Sequence, residues 1–288
     1  MEPTTMENLP KIPFYHVDHL IAEGGTARVY WGIDLRSGYP VAIKELKISH
    51  FKNTAVLQKF RDEAIMYLYL EHPNICKLID FVYLEETTRQ MFIIMEFIEG
   101  RNLEQYLYTE IGLIPEEKAL PMFLQILDPI GYLHSNRILH LDIKPNNVML
   151  LPNGKLKIID LGIASRMSEA SYSTGFGTPA YMSSEQSEKG RVGVYSDIFS
   201  LGVMLFEMLT GHLPFTSNNP SPGRNIAEIK YKIKYEPTPP MKQYYSHIGD
   251  DLQFIVERAL AKDPAVRYQS CKEFANCIKD YMRKKRIR

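Results

Sequence analysis

Residues 140–147 read His140-Leu141-Asp142-Ile143-Lys144-Pro145-Asn146-Asn147, which places a carboxylate, a cation two positions later and an amide five positions later on one short stretch. Thirteen residues beyond Asn147 stands Asp160, in Asp160-Leu161-Gly162. A carboxylate to position a hydroxyl, oxygen ligands for a divalent cation and an ammonium for a phosphate oxygen are the groups that phosphoryl transfer needs. One at a time, an Asp, a Lys or an Asn is usually a solvated surface residue. The information lies in their joint order and spacing.

Such a loop needs elements to hold it. The chain has 288 residues, 45% hydrophobic and 24% charged, enough apolar material for a large core. Lys+Arg and Asp+Glu both number 34, so charge points neither to nucleic acid nor to a membrane surface. Cys76, Cys271 and Cys277 form no C-x-x-C pair, which argues against a disulfide framework or a zinc site and for a reducing compartment. Glu2 and Glu7, with no apolar run beside them, argue against a signal peptide. The most apolar helical stretch, 198–209, contains Glu207 and is too short to span a bilayer. A soluble, cytoplasmic protein is expected, its oligomeric state unreadable.

Up to about residue 95 the pattern is of strands with one helix. Leu20–Ile21 and Val29–Tyr30–Trp31 flank a Gly-containing turn, and Val41-Ala42-Ile43 and Met91 to Met95 read as strands. Between them Val56, Leu57, Phe60, Ala64, Tyr67 and Leu68 recur at helical spacing. Beyond Gly100 helices dominate: 116–134, the all-round apolar 197–210, and amphipathic segments at about 250–261 and 270–283. Asn153-Gly154 between two apolar runs predicts a hairpin, Pro121 and Pro129 predict a bend in the helix around them, and 214–224 reads as an exposed loop. A small β-rich part thus precedes a larger helical one, and a cleft between two such parts is a common place for a small-molecule site.

With these motifs in this order the chain resembles the eukaryotic-type serine/threonine protein kinases, in a bacterial-like form, over about residues 14–283. The resemblance implies an α+β, bilobal fold: an extension at 1–13, an N-lobe at 14–95, a hinge at 96–100, a C-lobe at 101–283 and a basic tail at 284–288. It implies that Asp142 accepts the substrate hydroxyl proton, that Lys144 neutralises the γ-phosphate and that Asn147 and Asp160 hold Mg²⁺, with Mn²⁺ as a substitute. Lys44, after Val41-Ala42-Ile43, resembles the lysine on the α- and β-phosphates of ATP, and Glu63 its ion-pair partner. Met95 resembles the gatekeeper, with the backbone of Glu96 and Ile98 on the adenine edge and Ile21, Val29, Ala42 and Met149 around the ring; the same residues also read as ordinary core. Thr178, in Gly177-Thr178-Pro179-Ala180-Tyr181, and Lys144-Pro145 resemble the serine/threonine branch. Glu185 and Arg267 resemble a buried supporting ion pair. Asp197 resembles the carboxylate that holds the catalytic-loop backbone, and is equally an Asp at a helix start. Protein substrates follow from the resemblance, and nucleic acid does not.

Several positions depart from the family pattern. The phosphate-binding turn reads Ala22-Glu23-Gly24-Gly25-Thr26-Ala27-Arg28-Val29, in which only Gly24 keeps its place and Gly25 is extra. By itself it is a plain hairpin turn; ahead of Lys44 it can offer backbone N–H groups to phosphate. Leu161 replaces the Phe after Asp160, and Ser183-Ser184 replace an Ala-Pro pair. Leu141 stands where most relatives carry an Arg that pairs with a phosphate on the activation loop. The expectation is an active kinase that depends little on phosphorylation between Asp160 and Glu185. The alternatives are an ATP-binding scaffold without transfer, and a kinase of small alcohols. Ser171, Ser173 and Thr174 are read either as modified residues or as polar residues of a mobile loop, and the basic tail 283–288 as a frayed end rather than a lipid or nucleic-acid contact.

Overall fold

Val41, Ile43, Ile93 and Ile94 are β-branched residues with no exposed surface, and they form the centre of a five-stranded antiparallel sheet. The computed structural model describes residues 9–84, 90–162, 164–167 and 177–287. The chain divides into two compact units, one ending at Glu99 and the next starting at Gly100.

The first unit contains β1 (Tyr15–Glu23), β2 (Ala27–Asp34), β3 (Pro40–Leu46), α1 (Thr54–Leu68), β4 (Leu78–Leu84) and β5 (Gln90–Glu96). The sheet order is β1-β2-β3-β5-β4. Its register sets Lys44 of β3 opposite Val29 of β2 and Ile93 of β5. Asn53 caps α1 by accepting from the N–H groups of Ala55 and Val56 at 3.1 and 3.3 Å. The buried face of α1 carries Phe60, Ala64, Met66, Tyr67 and one acid, Glu63.

The second unit begins with β6 (Arg101–Asn102), α2 (Leu103–Gln105) and a π-helical turn at Tyr106–Ile111, followed by α3 (Glu116–Ser135). Short strands β7 (Ile138–Leu139), β8 (Val148–Leu150), β9 (Leu156–Ile158) and β10 (Ser165–Arg166) follow. The helices α4 (Ser184–Ser187), α5 (Val194–Thr210), α6 (Pro222–Tyr235), α7 (Asp250–Ala259) and α8 (Cys271–Lys285) complete it. From Ser196 to Thr210 every residue of α5 is buried, as its all-round apolar sequence requires. Phe123 of α3 meets Phe274 of α8 edge to face with ring centres 5.4 Å apart. The expected hairpin is present: β8 and β9 pair antiparallel, and Gly154 takes the left-handed φ of +78° in the turn.

Two expectations need correction. The loop expected over 214–224 ends early, because α6 starts at Pro222. Of that helix only Ile233 is buried, but Ile226, Ile229 and Ile233 recur at helical spacing, and with Pro222 at the first turn they were the available signal. The basic stretch is not wholly a frayed end, since α8 continues through Lys284 and Lys285 to a left-handed Arg286. α3 runs from Glu116 to Ser135 through both Pro121 and Pro129. No helix among the described residues is long and apolar enough to cross a membrane.

Candidate active site

In the first unit β1 and β2 are joined by the Gly24-Gly25 turn, closed by Gly24 N–H donating to Ala27 O at 2.9 Å. The turn is braced from its flanks. Glu23 takes Lys47 Nζ at 2.7 Å and Arg28 Nε at 3.3 Å, which hold its carboxyl below the ordinary range. A ring nitrogen of His50 lies 3.1 Å from Gly25 O. Thr26 O accepts from Lys47 N–H at 2.9 Å. A side chain at Gly25 would meet no atom within 4 Å, so its backbone is open on that side.

Lys44 reaches both carboxylate oxygens of Glu63, at 2.7 and 2.9 Å. Their side chains are 14% and 3% exposed, so the pair is shielded and geometrically fixed. Of the apolar residues expected around an adenine ring, Ile21 is exposed, Val29 and Ala42 half-buried and Met95 buried. Glu96 N–H is committed to Lys77 O at 3.0 Å, while Glu96 O lies 3.7 Å from the Cys76 thiol. Ile98 is buried.

In the second unit the stretch 140–147 is built as its spacing implied. Asp142 Oδ2 lies 2.8 Å from Lys144 Nζ and 3.2 Å from Asn147 Nδ2, and Asn147 Nδ2 also donates to Asp142 O at 2.9 Å. Asp142 Oδ1 accepts from both the N–H and the Oγ1–H of Thr178, each at 3.1 Å. Lys144 Nζ donates to Thr178 Oγ1 at 2.8 Å. A carboxylate, an ammonium and a hydroxyl thus share one corner. Thr178 follows Gly177, whose φ of +131° and lack of Cβ leave room for Gln186 Nε2, 3.1 Å from where a Cβ would stand.

Asp160 Oδ1 accepts from Gly162 N–H at 2.9 Å, which fixes the carboxylate at the end of β9. Asn147 Nδ2 donates to Asp142, so the amide oxygen Oδ1 is the atom of this side chain that could ligate a cation. A carboxylate and an amide oxygen are hard ligands, of the kind and number that hold Mg²⁺ together with phosphate oxygens. Met149 lies on β8 and is half-buried.

The loop is held from beneath by Asp197 of α5, which has no exposed surface. It accepts from His140 N–H at 2.9 Å, Leu141 N–H at 2.8 Å and His134 Nε2 at 2.8 Å. Burial alone would raise its pKa, but these donors hold it below the ordinary value. Leu141 sits at φ +64°, a left-handed conformation that costs a non-Gly residue about 1–2 kcal/mol. Its N–H is fixed by Asp197, and its C=O by Gln186 Nε2 at 2.6 Å. His140 is buried and, chiefly by desolvation, pushed toward its neutral form. Glu185 and Arg267 form the expected pair at 2.7 Å, with Ser196 Oγ also donating to Glu185 Oε1 at 2.9 Å. Leu161 is fully buried. Ser171, Ser173 and Thr174 lie outside the described residues.

His134 and Gln186 were not found in the sequence. His134 lies on the α3 face that also buries Leu127 and Ile130, where a lone His reads as core. Gln186 follows Glu185 and carries no signal of its own.

The family model described as "Protein kinase domain" matches residues 15–280. The chain is 34% identical over 268 residues to the serine/threonine-protein kinase PrkC of Bacillus subtilis, covering 92% of this chain and 40% of that protein. It is 36% identical over 264 residues to the probable serine/threonine-protein kinase PknB of Lactococcus lactis, covering 90% and 40%. It is 31% identical over 265 residues to the serine/threonine-protein kinase PknB of Mycobacterium tuberculosis, covering 90% and 41%. The chain therefore spans about two fifths of the length of these relatives. With a family model running through both units and over every motif described above, this chain belongs to the protein kinase domain family.

Proposed function

We propose that the chain is a serine/threonine protein kinase that transfers the γ-phosphate of ATP, with Mg²⁺, to protein hydroxyls. The observation that carries this reading is the corner formed by Asp142, Lys144, Asn147 and Thr178. A divalent cation, when bound, would supply positive charge to offset that of the phosphate oxygens. Asp142 orients the attacking hydroxyl and takes its proton. Lys144, free to exchange Thr178 for a phosphate oxygen, stabilises the transferred group. Lys44, aligned by Glu63, binds the α- and β-phosphates, while the backbone of the 22–29 turn covers them. Asn147 and Asp160 would hold that cation, and Mn²⁺ would suit the same oxygens. Incubating the purified chain with Mg²⁺, γ-labelled ATP and a generic protein tests the reading: label on phosphoserine or phosphothreonine supports it. Nucleotide binding without any transfer would leave a scaffold instead.

The same reading includes weak dependence on activation-loop phosphate. The Leu141 side chain packs with Leu139 and Val192, and Met167 and Val194 lie against them. Apolar packing thus occupies the position where a guanidinium would meet a phosphate, and needs no modification to form. Phosphatase treatment is expected to change kcat/KM by less than about threefold. A loss of tenfold or more that autophosphorylation restores would sink this part of the proposal.

A further inference from the structure

The turn between β1 and β2 closes on itself by one bond, Gly24 N–H to Ala27 O at 2.9 Å. Space does not demand its glycines: a Cβ on Gly24 would meet only Ala27 O, at 3.7 Å, and one on Gly25 would meet nothing within 4 Å. Two adjacent glycines give such a turn wide conformational freedom. Binding phosphate to a loose turn costs the entropy of ordering it. The further restraint on this turn comes from outside it.

That restraint is one short segment after β3. Lys47 follows the strand, and His50 closes the 3₁₀ turn Ile48–His50. Lys47 N–H donates to Thr26 O at 2.9 Å, which carries the pairing of β2 with β3 one step beyond Ala27 and Leu46. Lys47 Nζ reaches Glu23 Oε1 at 2.7 Å. His50 Nε2 lies 3.1 Å from Gly25 O, and a carbonyl only accepts, so the ring donates; an imidazole protonated at Nε2 and an imidazolium do so alike. Glu23, Gly25 and Thr26 are thus all held from residues 47–50.

The segment also joins the turn to the Lys44–Glu63 pair. Lys44 stands three residues before Lys47. His50 O accepts from Asn53 N–H at 2.9 Å, and Asn53 caps α1, the helix that carries Glu63. The ammonium read as binding the α- and β-phosphates and the backbone read as covering them are therefore set by the same stretch of chain.

We propose that Lys47 and His50 are positioning residues for ATP: their side chains clamp the turn at Glu23 and Gly25 in its phosphate-binding form before the nucleotide arrives. This rests on the reading of the 22–29 turn as the cover of the phosphates.

The test uses the full chain and the double variant Lys47→Met/His50→Ala, which keeps the backbone bond from Lys47 to Thr26. Hydrogen exchange at Gly24 N–H in nucleotide-free protein reads the turn. Equilibrium binding of ATP with Mg²⁺, and steady-state kinetics, read its use. The double variant is expected to exchange Gly24 about fivefold faster and to bind ATP about fivefold more weakly, with KM for ATP raised by a like factor at unchanged kcat, the worth of two part-exposed polar contacts. Lys47→Arg/His50→Gln keeps a cation and a donor and is expected to lie closer to the parent in every readout. The proposal is overturned by parent-like ATP affinity in the double variant, by a loss that falls on kcat alone, or by a conservative variant no better than the first. Weaker binding with unchanged Gly24 exchange also overturns it, because the two side chains would then meet the phosphates themselves. If the parent binds no nucleotide, the reading of the turn has failed and the proposal with it, while Gly24 exchange still decides whether Lys47 and His50 hold the turn.

Discussion

Asp142→Asn is expected to lower kcat by about 10³-fold or more while leaving the chain folded, since a positioned general base contributes about 10²–10⁴-fold. The two oxygens of Asp142 do separate work. Oδ1 is held by the N–H and hydroxyl of Thr178, and Oδ2 faces Lys144 and Asn147. All four partners are donors, so every lone pair in use accepts. An asparagine fills the same space but turns one NH₂ group toward a donor whichever way it is set. It also has no site for the hydroxyl proton at neutral pH. Leaving one such half-buried donor unmatched costs about 1–3 kcal/mol, or a few degrees of melting temperature in a chain of this size. Stability and activity therefore separate: a small shift in Tm beside a loss of three decades in transfer. Single-turnover label transfer beside a melting curve checks both. A kcat within tenfold of the parent would remove Asp142 from the role of base.

The parts of this site legible in the sequence were those whose chemistry is local. Asp142, Lys144 and Asn147 lie within one turn and a half of chain, and their mutual bonds follow from that spacing. Asn153-Gly154 fixed its hairpin through the φ of one residue. The Lys44–Glu63 and Glu185–Arg267 pairs span 19 and 82 residues, and were reached only through resemblance to the kinase family. His134 and Gln186 were not reached at all. Each is a polar residue whose role appears only when a distant group is brought to it, His134 meeting the Asp197 carboxylate across 63 positions and Gln186 the Leu141 carbonyl across 45. α6 was missed although its signals are local: Ile226, Ile229 and Ile233 recur at helical spacing behind Pro222. The resemblance also said what Leu141 lacks, an Arg, but not what replaces it. The apolar cluster with Leu139 and Val192 needed the fold.

Arg267→Met is expected to cost about 3–5 kcal/mol of stability, the range found when one partner of a buried ion pair is removed. Arg267 has no exposed side-chain surface, and Glu185 keeps 13%. The guanidinium grips both oxygens of Glu185 at 2.7 and 3.2 Å. It also donates to Ala261 O at 2.7 Å, Tyr195 O at 3.0 Å and Lys262 O at 3.3 Å, and lies 4.9 Å from the centre of the Phe199 ring. Methionine keeps the stem and the contact with Phe199. It strands three carbonyls and a carboxylate, and the carboxylate dominates. Burial pushes Glu185 up and Arg267 more than offsets it, so the native carboxyl titrates below its ordinary 4.5. The sign follows: the pair contributes fully above that pH and its contribution is lost as pH falls through the lower native value. In Arg267→Met burial is opposed only by the remaining hydrogen bonds to Glu185, its carboxyl moves up, and the cost of the substitution should shrink as the solution is made acidic. Glu185→Gln in the same chain removes the stranded charge without removing the side chain, so the double variant is expected to recover part of the loss, giving a coupling energy on the order of 1–3 kcal/mol. Denaturant melts of the four proteins of that cycle at neutral and at acidic pH measure each quantity. Strict additivity of the two substitutions would show that Arg267 stabilises the unit through its three carbonyls and its packing, not through Glu185.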